Sequence, residues 1–303
     1  MAMIRHYDNF DLLVSAGGRD AYQVRVLAVP GGGATAEPVA APAQELCALD
    51  AAITAWRGLM LDRGGMRRLG AALMAWLFRG PVMQLYRTSL ARVAPGDGLR
   101  IRLRIEPAEL HPIPWELCYD AETATFLAHV PRTPLVRYLL GAFSRGKLVG
   151  GQLRVCVAMA SPAGLTPLDA AVECARIADA LAGRGTAQPM IATLAGLQDA
   201  LRQAPHVWHF IGHGGFDADA GGYLVLDSGQ AGPQMADAEV LASYLRGSSV
   251  RLAVLNACES ARTDPADSFA GVAPRLVQAG LPAVVAMQTF LSDAAAPVFS
   301  GAF

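Results

Sequence analysis

Apolar runs broken by polar and glycine-rich stretches divide the second half of the chain into alternating strand and helix patterns. QLRVCVAMA from Gln152, PMIATL from Pro189, VWHFIGHGGF from Val207, RLAVLNACES from Arg251 and LPAVVAM from Leu281 read as strands. Near-continuous apolar runs of this length, interleaved with helical periodicity, are the pattern of a buried parallel sheet with crossover helices. Between them, helices are predicted from Thr166 to about Gly183, from Leu194 to Gln203 and from Ala236 to Leu245. The first is expected to use Thr166 as N-cap, Pro167 at its first position and Asp169 in its first turn, and the third to be capped near Met235. FDADAGGYLVLDSGQAG reads as a loop and a hairpin. Beyond RLAVLNACES, the stretch ESARTDPAD is expected to be mobile, followed by a helix presenting Phe269, Val272, Ala273, Leu276 and Val277 on one face. Ser292 and Asp293 open a last helix that the sequence cuts short at Phe303.

The first half is a second α/β pattern. A strand from Tyr22 to Val29 runs into Pro30-Gly31-Gly32-Gly33, a turn and not a phosphate loop, since no Lys-Ser/Thr follows. Helical periodicity covers Gln44–Leu61, Gly65–Phe78 and Val82–Val93, and the turn at Pro95–Gly98 leads into LRIRLRIEP, a half-exposed strand with its arginines on one face. In HPIPWELCYD, Trp115 and Leu117 are expected in the core and Glu116 exposed or paired, while His111 and Cys118 are read as packing residues and not as a reactive pair. Gly141, Gly146, Gly150 and Gly151 mark a linker, so two domains are expected, residues 1–145 and 152–303.

Composition narrows the possibilities. With 303 residues, 53% hydrophobic, the chain can bury two moderate cores. Its net charge of −1 and scattered arginines leave no nucleic-acid footprint. Five cysteines without a CxxC pair argue against a zinc site and a secreted disulfide framework, so a reduced cytoplasm is expected. AALMAWLF is too short to span a bilayer and reads as a buried helix face. No membrane span, metal or organic cofactor is expected.

Candidate chemistry concentrates where two of the apolar runs stop, at His213 and at Cys258. A cysteine with an ordinary pKa of about 8.5 is only partly thiolate at neutral pH, and a neighbouring imidazole can accept its proton and later return one to a leaving amine. Histidine first and cysteine 45 residues later, each ending a strand, is a caspase-like order. Gly214 lets its N–H approach a substrate carbonyl, and with the N–H of Cys258 it forms the expected oxyanion hole. Of the remaining histidines, His206 and His209 lie three apart on a strand and face opposite ways, which argues against a metal site. His209 is expected to be a hydrogen-bonded core residue. Asp217 and Asp219 read either as solvated loop charges or as a means of selecting a basic substrate.

HFIGHG, YLVLDSG, LAVLNACES and GLPAVVAMQTFLSDAAAPVFSGAF, taken together, resemble the CHAT family of caspase-like proteases, relatives of caspases and separases. In the first half, PWELCYD and PRTPLVRYL resemble the region often found ahead of the catalytic part in that family. The resemblance implies a caspase-like parallel sheet flanked by helices, preceded by an accessory, pseudo-caspase-like α/β domain. It places the catalytic histidine at His213 and the catalytic cysteine at Cys258. Glu259, Ser260 and Thr289 depart from the usual pattern, which bears on pocket shape. Asp293 has two readings: a carboxylate stabilising a helix N-terminus, or, by resemblance to separase-like enzymes, a pocket residue favouring Arg or Lys. The implied function is a cysteine endopeptidase acting on a protein substrate. It would be latent until switched on by a regulatory or sensor module, in cis or in trans, in a setting of bacterial defence or stress signalling. The alternatives are a catalytically silent caspase-like scaffold that binds a partner, and a flavodoxin-like small-molecule binder, for which ASPAGL at Ala160 is a poor loop.

Overall fold

The computed structural model describes residues 4, 6–32, 37–139, 150–217, 219, 221–230, 232–257, 271–289 and 295–302. It divides into two compact units, Met1–Leu140 and Gly141–Phe303. No helix is long and apolar enough to cross a membrane among the described residues.

The first unit opens with β1 (Tyr7–Gly18), β2 (Ala21–Ala28) and β3 (Val39–Pro42). Helices α1 (Ala43–Cys47), α2 (Asp50–Arg57), α3 (Arg63–Leu77) and α4 (Pro81–Arg92) follow, then β4 (Gly98–Ile105), the short pair β5 (Tyr119–Asp120) and β6 (Thr125–Phe126), and β7 (Leu135–Arg137). The sheet order is β3-β2-β1-β4-β7, with β1, β4 and β7 parallel and β2 and β3 antiparallel additions. Phe10, Leu12 and Val14 of β1 and Leu99, Ile101 and Leu103 of β4 alternate onto one buried face, packed with Leu73, Trp76 and Leu77 of α3. β1 was not among the expected strands, because Asp8, Asn9 and Asp11 dilute its apolar alternation. The single helix expected over Gln44–Leu61 is broken into α1 and α2. On the other sheet face the arginines of β4 are half-buried and partnered: Arg100 donates to Asn9 Oδ1 at 2.8 Å, and Arg102 pairs with Asp11. Trp115 is fully buried, Leu117 only partly so, and Glu116 is paired with Arg137 at 2.8 Å.

The second unit is built on β8 (Leu153–Met159), α5 (Ala170–Leu181), β9 (Gly185–Ile191), α6 (Leu194–Arg202) and β10 (Val207–Ile211). A smaller sheet of β11 (His213–Asp217), β12 (Gly221–Asp227) and β13 (Pro233–Asp237) follows, then α7 (Ala238–Leu245), β14 (Leu252–Asn256), α8 (Val272–Gln278), β15 (Ala283–Ala286) and α9 (Ala296–Ala302). The main sheet is parallel throughout, in the order β15-β14-β10-β8-β9. Connection order reverses between β8 and β10, and in open α/β sheets the crevice beyond the strands' carboxyl ends at such a point is where ligands bind. One sheet face packs Cys156, Trp208, Phe210, Ala253 and Leu255 against Leu241, Leu245 and Leu276. The opposite face carries a smaller apolar layer of Val155, Val157, Ala170, Ile177 and Ile211.

Three local expectations are corrected. α5 begins at Ala170 with Asp169 at its N-cap, leaving Thr166 and Pro167 in the preceding loop. α7 is capped by Asp237, whose side chain accepts from Val240 N at 2.8 Å, and not near Met235. His213 does not end the central strand: β10 stops at Ile211, and His213 is the first residue of β11.

Candidate active site

The site is assembled from the carboxyl ends of adjacent parallel strands. β10 and β14 pair so that Ile211 faces Asn256 in register. The last residues are tied together by the Gly212 N–H donating to Asn256 O at 3.3 Å, and on the other flank Ala160 N donates to Ile211 O at 2.9 Å. Gly212 has to be glycine here. A Cβ on it would stand 2.5 Å from the Phe210 ring and 3.0 Å from the Ala160 Cβ, and this close approach lets the chain turn out of the sheet into β11.

His213 therefore starts a new direction. It is half-buried, faces Val225 across the β11–β12 pair, and its Nε2 lies 2.8 Å from the carbonyl oxygen of Thr166. A carbonyl only accepts, so Nε2 carries the hydrogen and Nδ1 is the ring's basic nitrogen. Thr166 belongs to the loop after β8 and His213 to the segment after β10, so this bond spans the switch point of the sheet. The loop is pinned a second time where Ser161 N donates to Asp227 Oδ2 at 3.1 Å, with Asp227 at the end of β12. Sequence reasoning placed Thr166 as a helix cap and gave Asp227 no role. A main-chain acceptor leaves no trace in residue type, whereas the aspartate closing YLVLD was a readable signal.

Gly214 follows on β11 opposite Leu224, half-buried and without a side chain to screen its backbone. Cys258 and Asp293 lie outside the described residues, as does the stretch from Glu259 to Asp267. The structure does place Asn256, two residues ahead of Cys258, at the end of β14 beside the end of β10.

Three of the other cysteines are poorly suited to nucleophilic work. Cys118 is fully buried and burial drives its thiol pKa well up; Cys156 on β8 is pushed up to about 11 by burial, and Cys174 on α5 is raised by burial and by the charge of Glu173. His111 Nε2 lies 3.1 Å from Ile105 O in a buried setting, and what acts on the Cys118 thiol is burial and the charge of Glu116, both raising its pKa.

His206 and His209 do point apart. His206 Nδ1 accepts from Arg154 N at 3.1 Å, and His209 is buried against Glu173 at 3.2 Å. No group of side chains suited to a metal occurs among the described residues. Asp217 Oδ1 accepts from Asp219 N at 2.9 Å, a local turn bond.

A CHAT domain family model matches residues 67–303, from within α3 to the end of the chain. No curated protein matches the sequence.

Proposed function

The chain belongs to the CHAT-domain family, whose members are caspase-like and of protease type, and on that premise we propose that it is a cysteine endopeptidase with Cys258 as nucleophile and His213 as acid and base. The observation that carries the reading is the bond from His213 Nε2 to Thr166 O, which fixes the ring and its tautomer and leaves Nδ1 to exchange a proton. His213 Nδ1 takes the proton of the Cys258 thiol, and the thiolate attacks the scissile carbonyl carbon. Negative charge moves to the carbonyl oxygen, stabilised by the N–H groups of Gly214 and Cys258. As the C–N bond breaks, Nδ1–H passes its proton to the leaving amine. Water, deprotonated by the same nitrogen, then hydrolyses the thioester and restores the thiol.

The first unit acts in this reading as an accessory, pseudo-caspase-like region. Latency until a regulatory or sensor module engages, a cytoplasmic location, a role in bacterial defence or stress signalling, and Asp293 as a pocket residue for a basic side chain belong to the same proposal and are supported by family resemblance. The test is labelling with a thiol-directed peptide electrophile carrying arginine next to the reactive group, located by mass spectrometry. Labelling at Cys258 that is lost in Cys258→Ala and in His213→Ala supports the dyad. Labelling that survives Cys258→Ala overturns it, and an unreactive Cys258 in the presence of an engaged regulatory module favours a silent scaffold.

A further inference from the structure

The four buried polar side chains of the second unit, among the described residues, converge on one point. Glu173 of α5, His209 of β10, Asn256 of β14 and Ser300 of α9 are 3%, 4%, 7% and 5% exposed. Glu173 Oε1 accepts from Asn256 Nδ2 at 2.6 Å and from Ser300 Oγ at 2.5 Å, and His209 Nε2 lies 3.2 Å from it. Ser300 Oγ is also 3.3 Å from His209 Nε2. Burial alone would raise the carboxyl's pKa, but the hydrogen bonds from His209, Ser300 and Asn256 together with the histidine's charge hold it below the usual carboxylate range.

Such a cluster is not the simplest way to fill space beside Val157, Ile177 and Ile211. A well-packed apolar substitute for a buried charged network is often as stable or more so, and what directional bonds add is a fixed arrangement. Here the bonds end on two particular strands. His209 stands four residues before His213, and Asn256 two residues before Cys258. We propose that Glu173 is a positioning residue. Its carboxylate ties the middle of β10, at His209, to the last residue of β14, Asn256, and fastens α9 to the same point, setting the strands from which the chain runs on to His213 and Cys258. The second half of that statement rests on the dyad reading above; the clamp itself does not.

The test compares the full chain with Glu173→Gln and Ser300→Ala. Hydrogen exchange is followed over residues 207–213, 252–257 and 296–302, and iodoacetamide alkylation of Cys258 and Cys47 is followed from pH 5 to 9 by mass spectrometry. Glu173→Gln is expected to speed exchange in both strands and in α9 at least about tenfold, since a charged acceptor shared by three donors is lost. It is also expected to move the alkylation midpoint of Cys258 upward while Cys47 is unchanged. Ser300→Ala, which removes one donor, should give the same pattern at about threefold, and it carries the test if Glu173→Gln fails to fold. Unchanged exchange in both strands in a folded variant overturns the clamp, as does faster exchange confined to α9. If the parent's Cys258 titrates as an ordinary thiol while exchange responds, the dyad falls and the clamp stands. If Cys258 is activated in the parent and both readouts ignore Glu173, the clamp falls and the dyad stands.

Discussion

His213 and Thr166 lie 47 residues apart in sequence, yet the imidazole Nε2 is 2.8 Å from the threonine carbonyl oxygen, across the point where the parallel sheet reverses its connection order. Because the acceptor is main chain, the side chain of Thr166 is dispensable but the path of the loop is not. Thr166→Ala should keep peptide hydrolysis within about threefold, whereas removing one residue between Ser161 and Thr166 should cost about 10²-fold, the scale of an ångström-level misplacement. Rates on a peptide substrate, with circular dichroism to confirm folding, decide between them.

His213, the proposed general acid and base, should be replaceable without harm to the fold. His213 is half-buried and starts an edge strand of the small sheet, so His213→Asn is expected to lower kcat by about 10²- to 10⁴-fold while thermal unfolding moves little. A large loss of stability with proportionate loss of activity would mark the residue as structural.

Gly212→Ala should damage both properties. The added methyl would meet the Phe210 ring at 2.5 Å and Ala160 at 3.0 Å, so an overpacking cost of about 1–3 kcal/mol is expected, measurable by urea denaturation. Displacement of the adjacent His213 should make the fall in kcat exceed the fall in folded fraction.

Acid should unfold the molecule through its buried carboxylates. The pKa of Glu173 is depressed in the folded state: burial raises it, but the bonds from His209, Ser300 and Asn256 prevail. That of Asp120 is held down mainly by the Arg87 guanidinium, which donates at 2.6 and 2.8 Å. A folded-state pKa below the unfolded value gives stability that is complete above the ordinary carboxylate range, about 4, and is lost as pH falls through the folded-state values. The carboxylates' contribution should be flat from neutrality down to about pH 5 and then decline, on top of an earlier and shallower loss below about pH 6.5 from His111, whose pKa burial lowers in the fold. The gap between parent and Glu173→Gln should narrow over the same acid interval; a gap that widens there would show Glu173 to be protonated in the fold.

Burial should also order the thiols. Cys118 and Cys156 are 0% and 4% exposed and Cys47 is exposed. Iodoacetamide should modify Cys47 in the native protein and reach Cys118 and Cys156 only after denaturant is added, as peptide mass mapping would show.

What the sequence made legible was set by how much each element depends on local pattern. β8, β10 and β14 announce themselves because strands buried on both faces must be apolar at nearly every position. β1 did not, since only Phe10, Leu12 and Val14 face its core. The start of α5 was misplaced because Thr-Pro satisfies the local rule for a helix start as well as Asp169 does, and the loop's tertiary bonds to Asp227 and His213 decided the matter. Glu173 belongs to no motif that the sequence displays. The one hint was its place on the same face as Ala170 and Ile177, where an acid is out of keeping unless it has partners.

The parallel sheet has a further consequence. All its strands run the same way, so segments after β8, β10 and β14 emerge along one rim, and the turns entering those strands lie along the other. Insertions or substitutions on the first rim can reshape the proposed site without disturbing the hydrophobic layers beneath. Changes on the second rim meet only the foundations, so a specificity engineer has one margin to rewrite and another to leave alone.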